Sequence, residues 1–159
     1  MINTRARQAR KIVARFALII PCGLGAALPA HATLGGIEAS VFADQSQISA
    51  TLRTMPNARY TIHELRAPSG TVVREYVAPT GIVFAVAWQG PAMPDLRQVL
   101  GAHFDEYVAA VAASHNRRGP VSVQLPGLVV QSGGHMRGFI GKAYVPETLP
   151  PGVSLDDVR

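Results

Sequence analysis

The sequence predicts an α+β domain: an antiparallel β-meander with one long amphipathic helix packed on one face and a further C-terminal β-hairpin. Three observations carry that prediction. Two copies of an Ala-Pro-Ser/Thr-Gly turn recur eleven residues apart, a run of apolar residues at spacings of three and four follows, and a second alternating stretch with paired glycines comes after it.

The elements are read in chain order. Arg5, Arg7, Arg10, Lys11 and Arg15 precede an apolar run from Phe16 to Leu28, and Ala30-His31-Ala32 supplies a small-x-small cleavage pattern. This is the make-up of a secretory signal peptide over residues 1–32, and the run is shorter than the ~20 residues a membrane-spanning helix needs. A periplasmic or secreted location is therefore expected, with no stable membrane span after cleavage. Five of the fifteen Lys and Arg fall in this leader and none of the ten acids, so residues 33–159 carry ten bases against ten acids. The overall pI of 10.0 belongs to the leader, and a formally neutral domain lacks the basic footprint of a nucleic-acid binder. Cys22 is the single cysteine and leaves with the leader, so the remaining domain has no disulfide and no thiolate chemistry.

Residues 33–57, rich in Ala, Ser and Gln, are read as an N-terminal segment with a short helix around Glu38 to Leu52. The core is placed at 58–146. Within it, His63 to Val73 is followed at once by the parallel run Arg74 to Phe84, each half carrying the Pro-Ser/Thr-Gly loop. Pro suits the second position of a type I turn, and Gly the left-handed position that closes a hairpin loop. If Ala67 faces Thr71 and Ala78 faces Ile82, counting outward sets a register for three strands from Tyr60 to Gln89. One face then bears Leu65, Val73, Val77, Val83, Ala85 and Ala87, with His63 opposite Glu75 as a cross-strand pair. The other bears Ile62, Tyr76 and Phe84 in one row, Glu64, Arg74 and Val86 in the next, and Arg66, Val72 and Trp88 in the third.

The helix follows from Leu96, Val99, Leu100, Phe104, Tyr107, Val108 and Val111, opening at Pro94-Asp95 and closing at Arg117-Arg118-Gly119-Pro120. It needs a packing partner, and the small Val and Ala positions of the first face suit its bulky side chains. Val121 to Leu125 alternates as a strand, Pro126-Gly127 breaks it, and Leu128 to Ser132 with His135 to Val145 reads as another hairpin. The end of the chain, 147–159, reads as an extended Pro-rich tail.

Chemistry is sought first in Gln131-Ser132-Gly133-Gly134-His135-Met136-Arg137. The plain reading makes Gly133-Gly134 a two-residue hairpin turn with Ser132 and His135 facing across it. The functional readings are a binding loop in which Gly133 and Gly134 form a backbone nest with His135 and Arg137, or a nucleophile–base pair of Ser132 and His135. No Gly-x-Ser-x-Gly elbow is present and no acid lies nearby in sequence to orient His135. No metal site and no cofactor are expected: His103 and Glu106, three apart on the helix, read as a solvated pair. The second candidate surface is the amphipathic row of Tyr76, Phe84 and Trp88 with Arg66 and Arg74, where Arg66 beside Trp88 is placed for a cation–π contact. The competing reading buries this face as a second core layer.

The stretches Tyr60-Thr61-Ile62-His63-Glu64, Gly70 to Tyr76, Phe84 to Pro91, Pro94-Asp95-Leu96-Arg97 and Gln131 to Arg137, with the leader, resemble the secreted proteobacterial family called domain of unknown function 2844. The resemblance spans nearly all of the chain beyond the leader. It implies secretion and a single domain, and carries no catalytic residue, cofactor or ligand. The expectation is a non-enzymatic exported envelope protein that binds a protein partner or cell-surface polymer through the aromatic sheet face or the QSGGHMR loop. The alternative is a small hydrolase or transferase using Ser132 and His135.

Overall fold

The computed structural model describes residues 34–114 and 119–159. The leader, His115 and the helix-closing Arg117 and Arg118 fall outside the described residues. The chain forms α1 (Ala39–Gln47), β1 (Thr51–Pro56), β2 (Thr61–Arg66), β3 (Val72–Val77), β4 (Val83–Gly90), α2 (Leu96–Leu100), α3 (Phe104–Ala113), β5 (Val121–Leu125), β6 (Leu128–His135) and β7 (Gly138–Tyr144). All seven strands join one antiparallel sheet in the order β1-β2-β3-β4-β7-β6-β5, which puts β4 at its centre. The α+β class is confirmed.

Both repeated loops close as the residues require. Gly70 N–H donates to Ala67 O and Ala67 N–H to Thr71 O, each at 2.9 Å; Gly81 and Ala78 make the matching bonds to Ala78 O and Ile82 O at 2.8 Å. Gly70 and Gly81 take φ of 87° and 79°, the left-handed region that favours glycine. The β2–β3 register is as counted, with His63 opposite Glu75 and Ile62 opposite Tyr76.

The count fails one strand later. Val77 pairs with Val83, but Tyr76 pairs with Ala85, so Phe84 is an extra residue in a β-bulge. Every later side chain of β4 therefore sits on the opposite face from the one expected. Val86 and Trp88 join Leu65, Val73 and Val77 under the helices, while Ala85 and Ala87 join Tyr76 and Phe84 on the far side. The cause is tertiary. Val83 exchanges hydrogen bonds with Gly35 and Gly36, whereas Phe84 O already accepts from Val145 N, so β4 changes neighbours at this point.

The segment before β2 also differs from its expected form. The helix is shorter, and Thr51–Pro56 is an edge strand paired along its length with β2. The long helix is interrupted: Asp95 caps α2 by accepting from Arg97 N–H at 2.9 Å, then Gly101 at φ 46° and a 3₁₀ turn over Gly101–His103 separate α2 from α3. Val99, Leu100 and Tyr107 are buried against the sheet, while Val108, counted for the core, is exposed. The tail is not loose. It folds back over the far face through 3₁₀ turns at Pro146–Thr148 and Leu155–Asp157, with Leu149, Val153 and Val158 packed on Tyr76, Phe84 and Ala87. No helix among the described residues is long and apolar enough to cross a membrane.

Candidate functional site

The expected aromatic contact face is a second core layer. Tyr76, Phe84 and Trp88 are 1%, 0% and 2% exposed. Tyr60, Tyr76 and Phe84 pack ring on ring, with centroids 5.7 to 6.1 Å apart, beneath the folded-back tail. Trp88 is on the other side of the sheet, its indole lying across Gly141, so it makes no cation–π pair with Arg66. The guanidinium that does lie over a ring is that of Arg97, 4.3 Å from the Phe104 centroid. Arg74 donates to Glu64 Oε2 at 2.9 Å and to Arg159 O at 3.0 Å, tying β3 to β2 and the sheet to the tail, while Arg66 approaches Glu64 of its own strand at 3.5 Å.

In QSGGHMR the turn falls later than expected. Ser132 pairs with Gly141, Gly133 with Ile140, Gly134 with Phe139 and His135 with Gly138, which leaves Met136 and Arg137 as the hairpin turn. Arg137 adopts φ 66°. Gly133 and Gly134 are strand residues and not a free backbone nest, and Gly134 is glycine because at φ 119° a Cβ would collide with Gly138 O. Ser132 and His135 lie three apart on an unbroken strand and so face opposite sides of the sheet. The His135 ring donates through Nδ1 to Met136 O at 3.2 Å, and no hydrogen bond among the described residues joins it to Ser132.

What the hairpin does offer is a groove of about 500 Å³ at its base, lined by Gln89, Ser122, Gln131, Gly133, Ile140 and Lys142 and closed on one side by Val158 and Arg159. Lys142 Nζ donates to Leu155 O at 2.9 Å and to Val158 O at 3.4 Å, which holds the tail as the groove's wall. Ile140 on its lining is 56% exposed, and Met136, at the turn next to Arg137, is 88% exposed.

A second site has no counterpart in the sequence reading. His63 does not bond its neighbour Glu75: its ring bonds Glu38 Oε1 through Nε2 at 2.8 Å and Thr54 Oγ1 through Nδ1 at 3.0 Å. Glu75 turns instead to Asp44 of α1, with which it shares a hydrogen bond, and Gln98 Nε2 donates to Asp44 Oδ1 at 2.8 Å. Burial, then the charge of Asp44 and that shared hydrogen bond, push the Glu75 carboxyl up from 4.5 to about 8. Burial and the neighbouring Asp44 thus favour the protonated form of Glu75 at neutral pH. The pair lines a cavity of about 280 Å³ between α1, the sheet and the segment leading into α2. One signal for it was present: Ser40, Val41 and Asp44 fall on one face of α1, at the spacing of a buried stripe. Among the described residues no group of three or more His, Cys, Asp or Glu is placed to hold a metal.

A profile for the family described as "Protein of unknown function (DUF2844)" matches residues 30–158. The chain belongs to the DUF2844 family. No curated protein and no solved structure matched it. For this DUF2844 protein, then, the two surfaces just described carry the functional reading.

Proposed function

We propose that the chain is a non-enzymatic exported protein of the cell envelope that binds a partner protein through the β6–β7 hairpin and the groove at its base. The observation that carries this is the exposure of Met136 beside Arg137 at the turn of the paired β6–β7 hairpin and of Ile140 on the groove below it. Met and Arg are enriched at protein interfaces, and an ordered hairpin loses little entropy on docking. The mixed apolar and cationic character of this tip favours a protein over a neutral polymer as the occupant. The basic leader, the apolar run and Ala30-His31-Ala32 support export, and a family match that starts at residue 30 is in keeping with a leader outside the domain.

The test is site-specific photocrosslinking in cells, with a benzophenone side chain at position 136 or 140 and, as control, at Arg53 on the opposite edge strand. Discrete adducts from 136 and 140 but not from 53, abolished by Arg137→Ala, are expected. An identical pattern from all three positions, or no adduct at the hairpin, would overturn the reading. N-terminal sequencing of the exported protein checks the leader, with Thr33 expected first.

A further inference from the structure

The sheet has two edges, β1 and β5, and only the first is guarded. β1 carries an exposed Arg53 and ends in Pro56, two devices that discourage a further strand from adding. β5 has no charged residue along Val121–Leu125. Among the described residues it pairs with β6 alone, and no backbone bond is made on its outer side.

The Pro126-Gly127 loop fixes which groups of β5 point outward. Leu125 pairs with Leu128 across those two loop residues, so this pair closes the hairpin with its N–H and C=O turned toward β6. Alternation turns Val123 and Val121 inward as well, and leaves the N–H and C=O of Ser122 and Gln124 facing out. The next outward positions are Pro120 and Pro126, which have no N–H to offer. The side chains alternate across the strand in the same way. Val123 is buried, and half-buried Val121 and Leu125 pack on the core beneath the helices, while Ser122 and Gln124 are exposed on the opposite face.

We propose that β5 pairs antiparallel with β5 of a second copy of this chain, about a two-fold axis at Val123, joining the two sheets into one. In that register Ser122 of each copy faces Gln124 of the other, and the two pairs exchange four backbone hydrogen bonds. Val121 then meets Leu125 on the helix side and Val123 meets its own counterpart, so apolar faces apolar and polar faces polar at every position. Sliding to either neighbouring register that keeps the outward groups in phase would set Pro120 against Gln124 or Pro126 against Ser122, inside the ladder, where proline cannot donate. An uncharged strand opposes its own copy with no like-charge repulsion. The Met136–Arg137 turn takes no part, so this inference stands apart from the reading of the hairpin tip.

Sedimentation velocity and amide hydrogen exchange on the purified protein, each over a dilution series, test the proposal. The contact is short, and a Kd of about 10–100 µM is expected. As concentration rises through that range, the Ser122 and Gln124 amides are expected to become at least about tenfold better protected, in step with the dimer fraction. Ser122→Lys combined with Gln124→Lys puts like charges opposite each other in both pairs and is expected to weaken the dimer at least about tenfold. Ser122→Glu combined with Gln124→Lys puts opposite charges there and is expected to dimerise at least as tightly as wild type. A monomer at up to about 1 mM, a dimer that leaves those two amides unprotected, or equal weakening by the two double variants would each overturn the proposal. If either variant misfolds, the concentration dependence of the wild-type amides decides alone.

Discussion

The phenol of Tyr76 grips Arg159 twice, accepting from its backbone N–H at 3.0 Å and donating to its backbone O at 2.9 Å. A residue of the third strand thus fastens the chain 83 positions later, across the face that Val158 and Val153 cover. Tyr76→Phe removes both bonds and leaves the ring packed. The expected loss is about 1 kcal/mol in a denaturant titration. Amide exchange at Val158 and Arg159 is expected to accelerate while the centre of β3 is unchanged.

The two glycines of the hairpin make opposite demands. Gly134 sits at φ 119° with Gly138 O where a Cβ would go, whereas among the described residues a Cβ on Gly133 would have only Pro120 near it, at 3.7 Å. Gly134→Ala is therefore expected to destabilise by about 1–3 kcal/mol. Gly133→Ala is expected to lie within about 0.5 kcal/mol of wild type. Chemical unfolding of the two variants side by side checks the contrast.

Trp88 is the single tryptophan, so its fluorescence reports one place. Buried across Gly141, it is expected to emit in the blue-shifted range of an apolar site. Gly141→Ala would drive a methyl into the indole, so emission is expected to move to the red and stability to drop by about 1–3 kcal/mol.

Glu75 gives the stability a pH slope of unusual sign. Its carboxyl is raised from 4.5 to about 8 in the folded chain, so above pH 4.5 the unfolded state gives up a proton that the folded state keeps. Stability contributed by this group is complete below about pH 4.5, falls as pH rises through that window by at most about 1.4 kcal/mol per pH unit, and levels off above about 8. Glu75→Gln does not titrate. Its stability relative to wild type is expected to climb between pH 5 and 8, measured by denaturant midpoints across the range.

Much of this fold was legible because its signals are local. The repeated Pro-Ser/Thr-Gly loops dictate their own hydrogen bonds and φ angles, and through them the pairing of Ile62 with Tyr76 and His63 with Glu75. The apolar spacing from Leu96 to Val111 marks helix, and Asp95 its cap. Of the candidate site residues, Gly133 and Gly134 read as the turn but are strand residues, and the turn itself comes three residues later, at Met136 and Arg137.

By itself the sequence determined the α+β class, the two Pro-Ser/Thr-Gly turns and the helix start, since turns, caps and side-chain periodicity act over a few neighbouring residues. Only the tertiary structure decided which way Trp88 faces, because the bulge at Phe84 arises where β4 changes partners, from Gly35–Gly36 to Val145. It alone decided that Glu75 answers to Asp44 rather than to His63, and that the tail seals the aromatic face. Those contacts join residues 31 to 83 positions apart, and hydrogen bonding and burial at that range depend on how layers pack, which no local pattern encodes.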